Sequence, residues 1–302
     1  MSSVLDGRKI ADKVLAEIKE EVAALPRPPG LAVVLIGRDP ASRLYVKNKQ
    51  KAAEQVGISC YVVRFPENVS IKRVKQEIAA LNKASAIDGI ILQLPFPSLS
   101  FPDAVPRPDP LCFLRLIDPA KDIDGLHPLN LGRLCSLKEA APISISSDPN
   151  LPNLLVSPTA QAVMKLIRET GIDLAGKKAV VVSRSNLVGK PAALLLLLQD
   201  ATVTVCHSKT LDLVRETSQA DILVAAAGVP GLITKKHIKK GAIVIDVGIN
   251  RVDDRLVGDV RFNEVKQKAG WITPVPGGVG PLTVAYLLGN VVRAFKLSRV
   301  AM

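Results

Sequence analysis

Tyr45 and Lys49 stand four residues apart in the run Asp39-Pro-Ala-Ser-Arg-Leu-Tyr-Val-Lys-Asn-Lys49. Asp39 is placed to cap a helix and Pro40 suits its first turn, so the spacing stacks a phenol and an amine on one helical face. A lysine partly withdrawn from water is less readily protonated and can act near neutral pH. The plain alternative is a solvated polar pair of the kind common on helices.

Gln93 lies near the end of the apolar run Gly89 to Leu94 and is followed by Pro95, while Asp122-Ile-Asp-Gly125 follows an irregular stretch. Strand ends and loops are where α/β folds place their sites, although each feature alone is also ordinary punctuation between elements. The segment Pro274-Val-Pro-Gly-Gly-Val-Gly-Pro281 combines rigid prolines with bare glycine backbone that a flat ring can approach closely.

A third group of residues has the look of a nucleotide site. Ala179 to Pro191 reads as a buried strand, a turn of small residues and a helix beginning near Pro191, with backbone N–H groups of the helix start pointing outward toward an anion. Ser185 and Gly189 would let a pyrophosphate approach, and Arg184 supplies formal charge. The run lacks GxGxxG, so by motif alone it reads equally as an ordinary strand–helix turn. About twenty residues on, the next strand ends in Cys206-His-Ser-Lys-Thr210, without the acid that would hold a ribose 2′-hydroxyl. A hydroxyl and a lysine there, with Arg184 nearby in the fold, favour a 2′-phosphate, hence NADP over NAD; the plain alternative is a polar strand end.

Elements able to position these groups follow from the apolar pattern. Short β-rich runs at Leu31 to Gly37, Cys60 to Phe65, Gly89 to Leu94, Ala179 to Val182, Thr202 to Cys206, Ile222 to Ala226 and Ala242 to Val247 alternate with helical patterns, the mark of a parallel α/β sheet. Pro97 to Pro110 and Ser136 to Pro158 break the rhythm and read as loops. A domain boundary is expected near Pro158.

Composition narrows the function class. The 302 residues, 48% hydrophobic and 23% charged, suffice for two buried cores, and no apolar run reaches the roughly 20 residues a membrane span needs. Ile10, Val14, Leu15, Ile18 and Val22 begin a helix almost at the N-terminus, so no signal peptide is expected and the compartment is read as cytoplasmic. Four scattered cysteines fit a reducing compartment, and no spacing implies a metal site. The net charge of +12 is dispersed and aromatics are only 3%, which fits an anionic substrate and cofactor better than nucleic acid.

Taken together, Tyr45-Val-Lys-Asn-Lys49, Gln93-Leu-Pro95, Lys121-Asp-Ile-Asp-Gly125, Arg184-Ser-Asn-Leu-Val-Gly-Lys-Pro191 and Pro274 to Pro281 resemble, over nearly the whole chain and in order, the bifunctional methylenetetrahydrofolate dehydrogenase/methenyltetrahydrofolate cyclohydrolase family. The resemblance implies two α/β lobes flanking a cleft. A folate-binding catalytic domain would take residues 1–157 and 282–302, and a Rossmann-like NADP-binding domain residues 158–281. It implies Lys49 as the central catalytic residue, Tyr45 against the folate, Gln93 tuning the lysine and Asp124 holding the pterin. Leu94, Pro276, Gly277 and Gly278 would complete the substrate site. Cofactor contacts would come from Arg184, Ser185, Gly189, Ser208, Ala226, Gly228, Ile249 and Thr283. A final helix, Pro281 to Lys296, and a homodimer are also expected.

Two departures from the family pattern bear on structure. Ser183 replaces the first glycine of the phosphate turn, which costs stability if that position needs positive φ. Thr159-Ala-Gln-Ala162 replaces Thr-Pro-x-Gly and removes a proline from the start of a helix. The competing functions are an NAD-preferring or monofunctional dehydrogenase, an inactive folate-binding relative, and a basic nucleic-acid binder.

Overall fold

The computed structural model describes residues 2–94, 96, 109, 111–137 and 154–300. Most of both stretches read as loops therefore lies outside the described residues, as does Pro95. The chain forms two compact units. The described parts of the first fall within Leu15–Arg133, Ser144–Val156 and Leu287–Met302, and those of the second within Met1–Val14, Leu134–Ile143 and Ser157–Tyr286.

Eleven strands are described: β1 Ser3–Val4, β2 Gly30–Ile36, β3 Ser59–Phe65, β4 Gly89–Leu92, β5 Lys178–Val182, β6 Thr202–Cys206, β7 Ile222–Ala225, β8 Ile243–Asp246, β9 Asn250–Val252, β10 Arg255–Val257 and β11 Trp271–Ile272. In the first unit β3-β2-β4 make a parallel sheet. Every residue of β2 is buried, as its unbroken apolar run requires of a central parallel strand. The helix Ile71–Lys83, capped by Ser70 Oγ accepting from Arg73 N at 3.2 Å, buries Val74, Ile78 and Leu81. Their spacing makes one helical stripe, which joins Val34, Ile36 and Leu92 in a single core.

The second unit carries a six-stranded parallel sheet in the order β1-β11-β8-β7-β5-β6, with β9 and β10 as a separate antiparallel hairpin. Strand β5 has β6 on one side and β7 on the other, so the winding direction reverses there, the place where such sheets bind ligands beyond their strand ends. The core beneath is aliphatic: Val180, Val182, Leu223, Val244 and Ile272 join Ile233, Ile238 and Val265.

Several expectations need adjusting. Residues 1–14, expected in the first lobe, belong to the second unit, where β1 pairs with β11 and extends the sheet. Two-residue strands have too little alternation to be read from sequence. The helix placed near Pro191 begins at Gly189, and the final helix spans Val279–Val300. It gives its residues through Tyr286 to the second unit and those from Leu287 to the first. Ser183 is not among the positive-φ residues, so it carries no left-handed strain. Nor does the helix at Pro158–Arg168 lack its proline: Pro158 itself occupies the first turn, with Ser157 Oγ accepting from Ala160 N at 3.4 Å.

Candidate active site and cofactor edge

In the first unit the helix Pro40–Gln55 starts as expected, with the Asp39 carboxylate accepting from Ser42 N at 2.7 Å and Pro40 in the first turn. About two and a half turns into this helix, Lys49 reaches the end of β4. There its Nζ donates to Gln93 Oε1 at 3.0 Å. Gln93 cannot flip freely: its Nε2 donates to Leu94 O at 2.7 Å and its backbone N to Val34 O at 2.9 Å. The carbonyl oxygen is thereby aimed at the lysine. Tyr45, one turn earlier on the helix, is 40% exposed and available to a ligand.

Asp124 belongs to the same electrostatic group. Burial pushes its carboxyl up to about 6, against the opposing pull of Lys49 and with a small push from Asp122. Burial likewise lowers the Lys49 pKa from the ordinary lysine value, and Asp124 is the chief influence holding it up. The pair is thus poised so that one proton separates an amine beside a carboxylate from an ammonium beside it. Cys60 is also close enough to feel Lys49, but burial pushes its thiol up to about 11 and it stays protonated.

The turn bearing Asp124 is fixed by residues that sequence reading gave no role. Buried Asp122 accepts from His127 N at 2.7 Å and Asn130 Nδ2 at 2.9 Å. Asn290 Nδ2 donates to Ile123 O at 2.7 Å and Val156 O at 2.8 Å. A lone amide inside the apolar run Leu287 to Val292 was the available signal for Asn290.

In the second unit the expected cofactor residues stand beyond the ends of neighbouring parallel strands. Val182, Cys206, Ala225 and Asp246 are register partners along β5, β6, β7 and β8. Arg184 and Ser185 thus follow β5 as Ser208 follows β6, Ala226 and Gly228 follow β7, and Ile249 follows β8. Arg184, Ser208, Lys209 and Ile249 are exposed. Gly189 is required by space, since a Cβ there would sit 2.3 Å from Ser183 O.

One detail differs from expectation. The first N–H groups of the helix Gly189–Leu197 do not simply point outward: Val188 N and Gly189 N donate to Ser185 Oγ at 3.1 and 3.2 Å. A phosphate at this turn would meet Ser185 as a donor hydroxyl and the Arg184 guanidinium, with the helix start behind them. Beyond β11, Pro276 follows a cis peptide, Gly277 has φ of 106°, and a Cβ on Gly278 would lie 2.5 Å from Pro274 O. Only glycine fits those two positions without backbone movement. Thr283, on the following helix, donates to Val279 O at 3.3 Å. Among the described residues, no group of three or more His, Cys, Asp or Glu could hold a metal ion, and no helix is long and apolar enough to cross a membrane.

The chain matches two family descriptions in succession: the catalytic domain of tetrahydrofolate dehydrogenase/cyclohydrolase over residues 5–124, and its NAD(P)-binding domain over residues 157–299. It is 50% identical to the bifunctional protein FolD of Moorella thermoacetica across 98% of this chain and 99% of that one. Its fold superposes on the bifunctional enzyme FolD of Campylobacter jejuni with a TM-score of 0.88 at 41% identity, covering 98% of this chain and 99% of the other. The Trypanosoma brucei methylenetetrahydrofolate dehydrogenase-cyclohydrolase, solved with NADP and an inhibitor, gives a TM-score of 0.88 at 40% identity, covering 99% and 98%. With both of its domains matched and such identity along its length, the chain belongs to the tetrahydrofolate dehydrogenase/cyclohydrolase family.

Proposed function

We propose that this protein oxidises 5,10-methylenetetrahydrofolate to the 5,10-methenyl form with NADP and hydrolyses that product to 10-formyltetrahydrofolate, with Lys49 as the central catalytic residue. The observation that carries the reading is the 3.0 Å hydrogen bond from Lys49 Nζ to a Gln93 side chain locked by its own neighbours. It sits where burial favours the neutral amine.

For the hydrolytic step the electrophile is the bridging methenyl carbon, part of an amidinium cation. A water adding to that carbon must lose a proton as the C–O bond forms. Neutral Lys49 takes it, directly or through a second water, and returns it to the ring nitrogen as the C–N bond breaks, while the remaining hydroxyl proton passes to solvent as the formyl C=O forms. Gln93 Oε1 accepts from the amine before transfer and from the ammonium after it. Asp124 stabilises that ammonium and, in our assignment, bonds the pterin, while Tyr45 and Leu94 flank the folate together with Pro276, Gly277 and Gly278.

The residues beyond β5 to β8 fit a dinucleotide carrying a 2′-phosphate: Arg184, Ser208 and Lys209 are exposed, and no acid stands at the end of β6. When bound, NADP supplies the hydride acceptor. Ser185 and Gly189 would then line the diphosphate, with Ala226, Gly228, Ile249 and Thr283 toward the nicotinamide end. The residue split proposed is 15–133, 144–156 and 287–302 for folate and 1–14 with 157–286 for NADP. We also place the protein in the cytoplasm as a homodimer, the first on its four free cysteines and the second on the family resemblance.

The test is NADPH formation by absorbance with methylenetetrahydrofolate and either NADP or NAD, followed by methenyl decay, for wild type and Lys49→Ala. NADP-dependent turnover with hydrolysis lost in the variant is expected. Folded protein that binds folate yet reduces neither cofactor would sink the dehydrogenase assignment.

A further inference from the structure

Two buried aspartates of the second unit take no part in the chemistry above, yet they organise the loops assigned to the cofactor. Asp259 is fully buried just past β10. Its Oδ2 accepts from Ala227 N at 2.6 Å and Gly228 N at 2.9 Å, and its Oδ1 from Val229 N and Asn250 Nδ2, both at 2.9 Å. Four donors fill the acceptor capacity of one carboxylate. Three successive backbone N–H groups make a concavity suited to an anion. Here the chain's own carboxylate fills it, so these N–H groups are not offered to a phosphate.

Asp246, ending β8, holds the other side. Its Oδ1 accepts from Gly248 N at 3.0 Å and Asp259 N at 2.9 Å, and its Oδ2 from Val260 N at 3.0 Å. Ile249 is therefore tied on both flanks, through Gly248 to Asp246 and through Asn250 to Asp259, while its own side chain stays 50% exposed. The fit leaves no slack: a Cβ on Gly248 would meet Asp259 Oδ1 at 2.3 Å, and one on Gly258 would meet Asp246 Oδ2 at 1.8 Å.

We propose that Asp259 is a positioning residue for the dehydrogenase half-reaction, locking the loop after β7 and the loop after β8 into one frame that presents Gly228 and Ile249 to the nicotinamide end of the cofactor. This rests on the cofactor assignment above. Hydride transfer depends on alignment, and a misplacement of about 1 Å costs on the order of a hundredfold. Hydrolysis turns on Lys49, Gln93 and Asp124, and the loops that Asp259 holds carry none of the residues assigned to folate.

The experiment compares wild type, Asp259→Asn, Asn250→Ala and Arg184→Ala. Four readouts are taken: calorimetric NADP affinity, steady-state NADPH formation, hydrolysis of supplied methenyltetrahydrofolate without NADP, and hydrogen exchange of the Ala227, Gly228 and Val229 amides. Asp259→Asn puts an N–H donor against donors. It should speed exchange at those amides, weaken NADP binding about tenfold and lower kcat for NADPH formation by about tenfold to a hundredfold, with hydrolysis within about twofold of wild type. Asn250→Ala, which removes one partner and leaves the carboxylate, should move the same quantities less and decides the matter if Asp259→Asn does not fold. Arg184→Ala should weaken NADP binding about tenfold and leave exchange at the Ala227, Gly228 and Val229 amides as in wild type. If Arg184→Ala acts while the folded Asp259 and Asn250 variants leave kcat and NADP affinity alone, or lose hydrolysis in parallel, this inference fails and the cofactor edge stands. If Arg184→Ala also has no effect on NADP, the cofactor assignment fails and takes the inference with it.

Discussion

Replacing Gln93 by Met keeps the side-chain length and removes the oxygen that accepts from Lys49 Nζ at 3.0 Å. The ammonium form loses more than the amine, because a hydrogen bond from a charged donor is worth about 1.5–3 kcal/mol against about 0.5–1.5 kcal/mol for a neutral one. The difference, about 1–1.5 kcal/mol, lowers the Lys49 pKa by about one unit at about 1.36 kcal/mol per unit. Burial already depresses it, so the substitution acts in the same direction. A lower pKa makes Lys49 neutral at lower pH. The rising limb of hydrolysis against pH should therefore move about one unit toward acid, while the plateau falls because the amine is no longer aimed. Gln93→Glu should do the reverse: a carboxylate beside Nζ stabilises the ammonium and moves the limb toward alkali. The assay is methenyl absorbance decay over a pH series, with the uncatalysed rate subtracted at each point. Limbs that stay fixed in both variants, or shift together in one direction, would mean that Lys49 is not the titrating base.

Other substitutions test neighbouring steps. Lys49→Arg retains the charge but gives a side chain that does not deprotonate in the working range, so hydrolysis should fall by about two to four orders of magnitude while NADP affinity by calorimetry is unchanged. Gly189→Ala forces a Cβ to within 2.3 Å of Ser183 O. The turn must shift, and KM for NADP should rise while hydrolysis of supplied methenyltetrahydrofolate persists. Asp246 is buried, with its carboxyl pushed up to about 6 by burial. Its raised folded pKa contributes stability that is fully present below the unfolded value of about 3.8 and lost as pH rises through about 6, at most about 3 kcal/mol. Urea unfolding from acid to neutral pH should show that decline in wild type and a flatter dependence in Asp246→Asn; equal slopes would refute it.

What the sequence disclosed and what it hid divide along a physical line. Lys49 was legible because helix caps and i,i+4 spacing are local, and Asp39 with Pro40 fixes where its helix starts. The run Gly30–Ile36 announced a central strand because burial on both faces demands unbroken apolar residues. The pairing of Ser3–Val4 with Trp271–Ile272 joins residues at opposite ends of the chain, and a two-residue strand carries no period to read. The carboxylates of Asp246 and Asp259 were hidden for a related reason. Each bonds backbone N–H groups, and a backbone donor leaves no trace in residue type. Their trace is instead in the glycines: Gly248 and Gly258 are small because a carboxylate occupies the place of a side chain. The same logic accounts for Ser183, whose residue type alone implies a cost in stability if its φ is positive. With an unstrained φ its hydroxyl accepts from Ser185 N at 3.3 Å, so the serine ties this turn down where a glycine would leave it free. Motif reading thus reaches the groups assigned to the ligands, while the groups that hold those in place act through the backbone and become visible only in three dimensions.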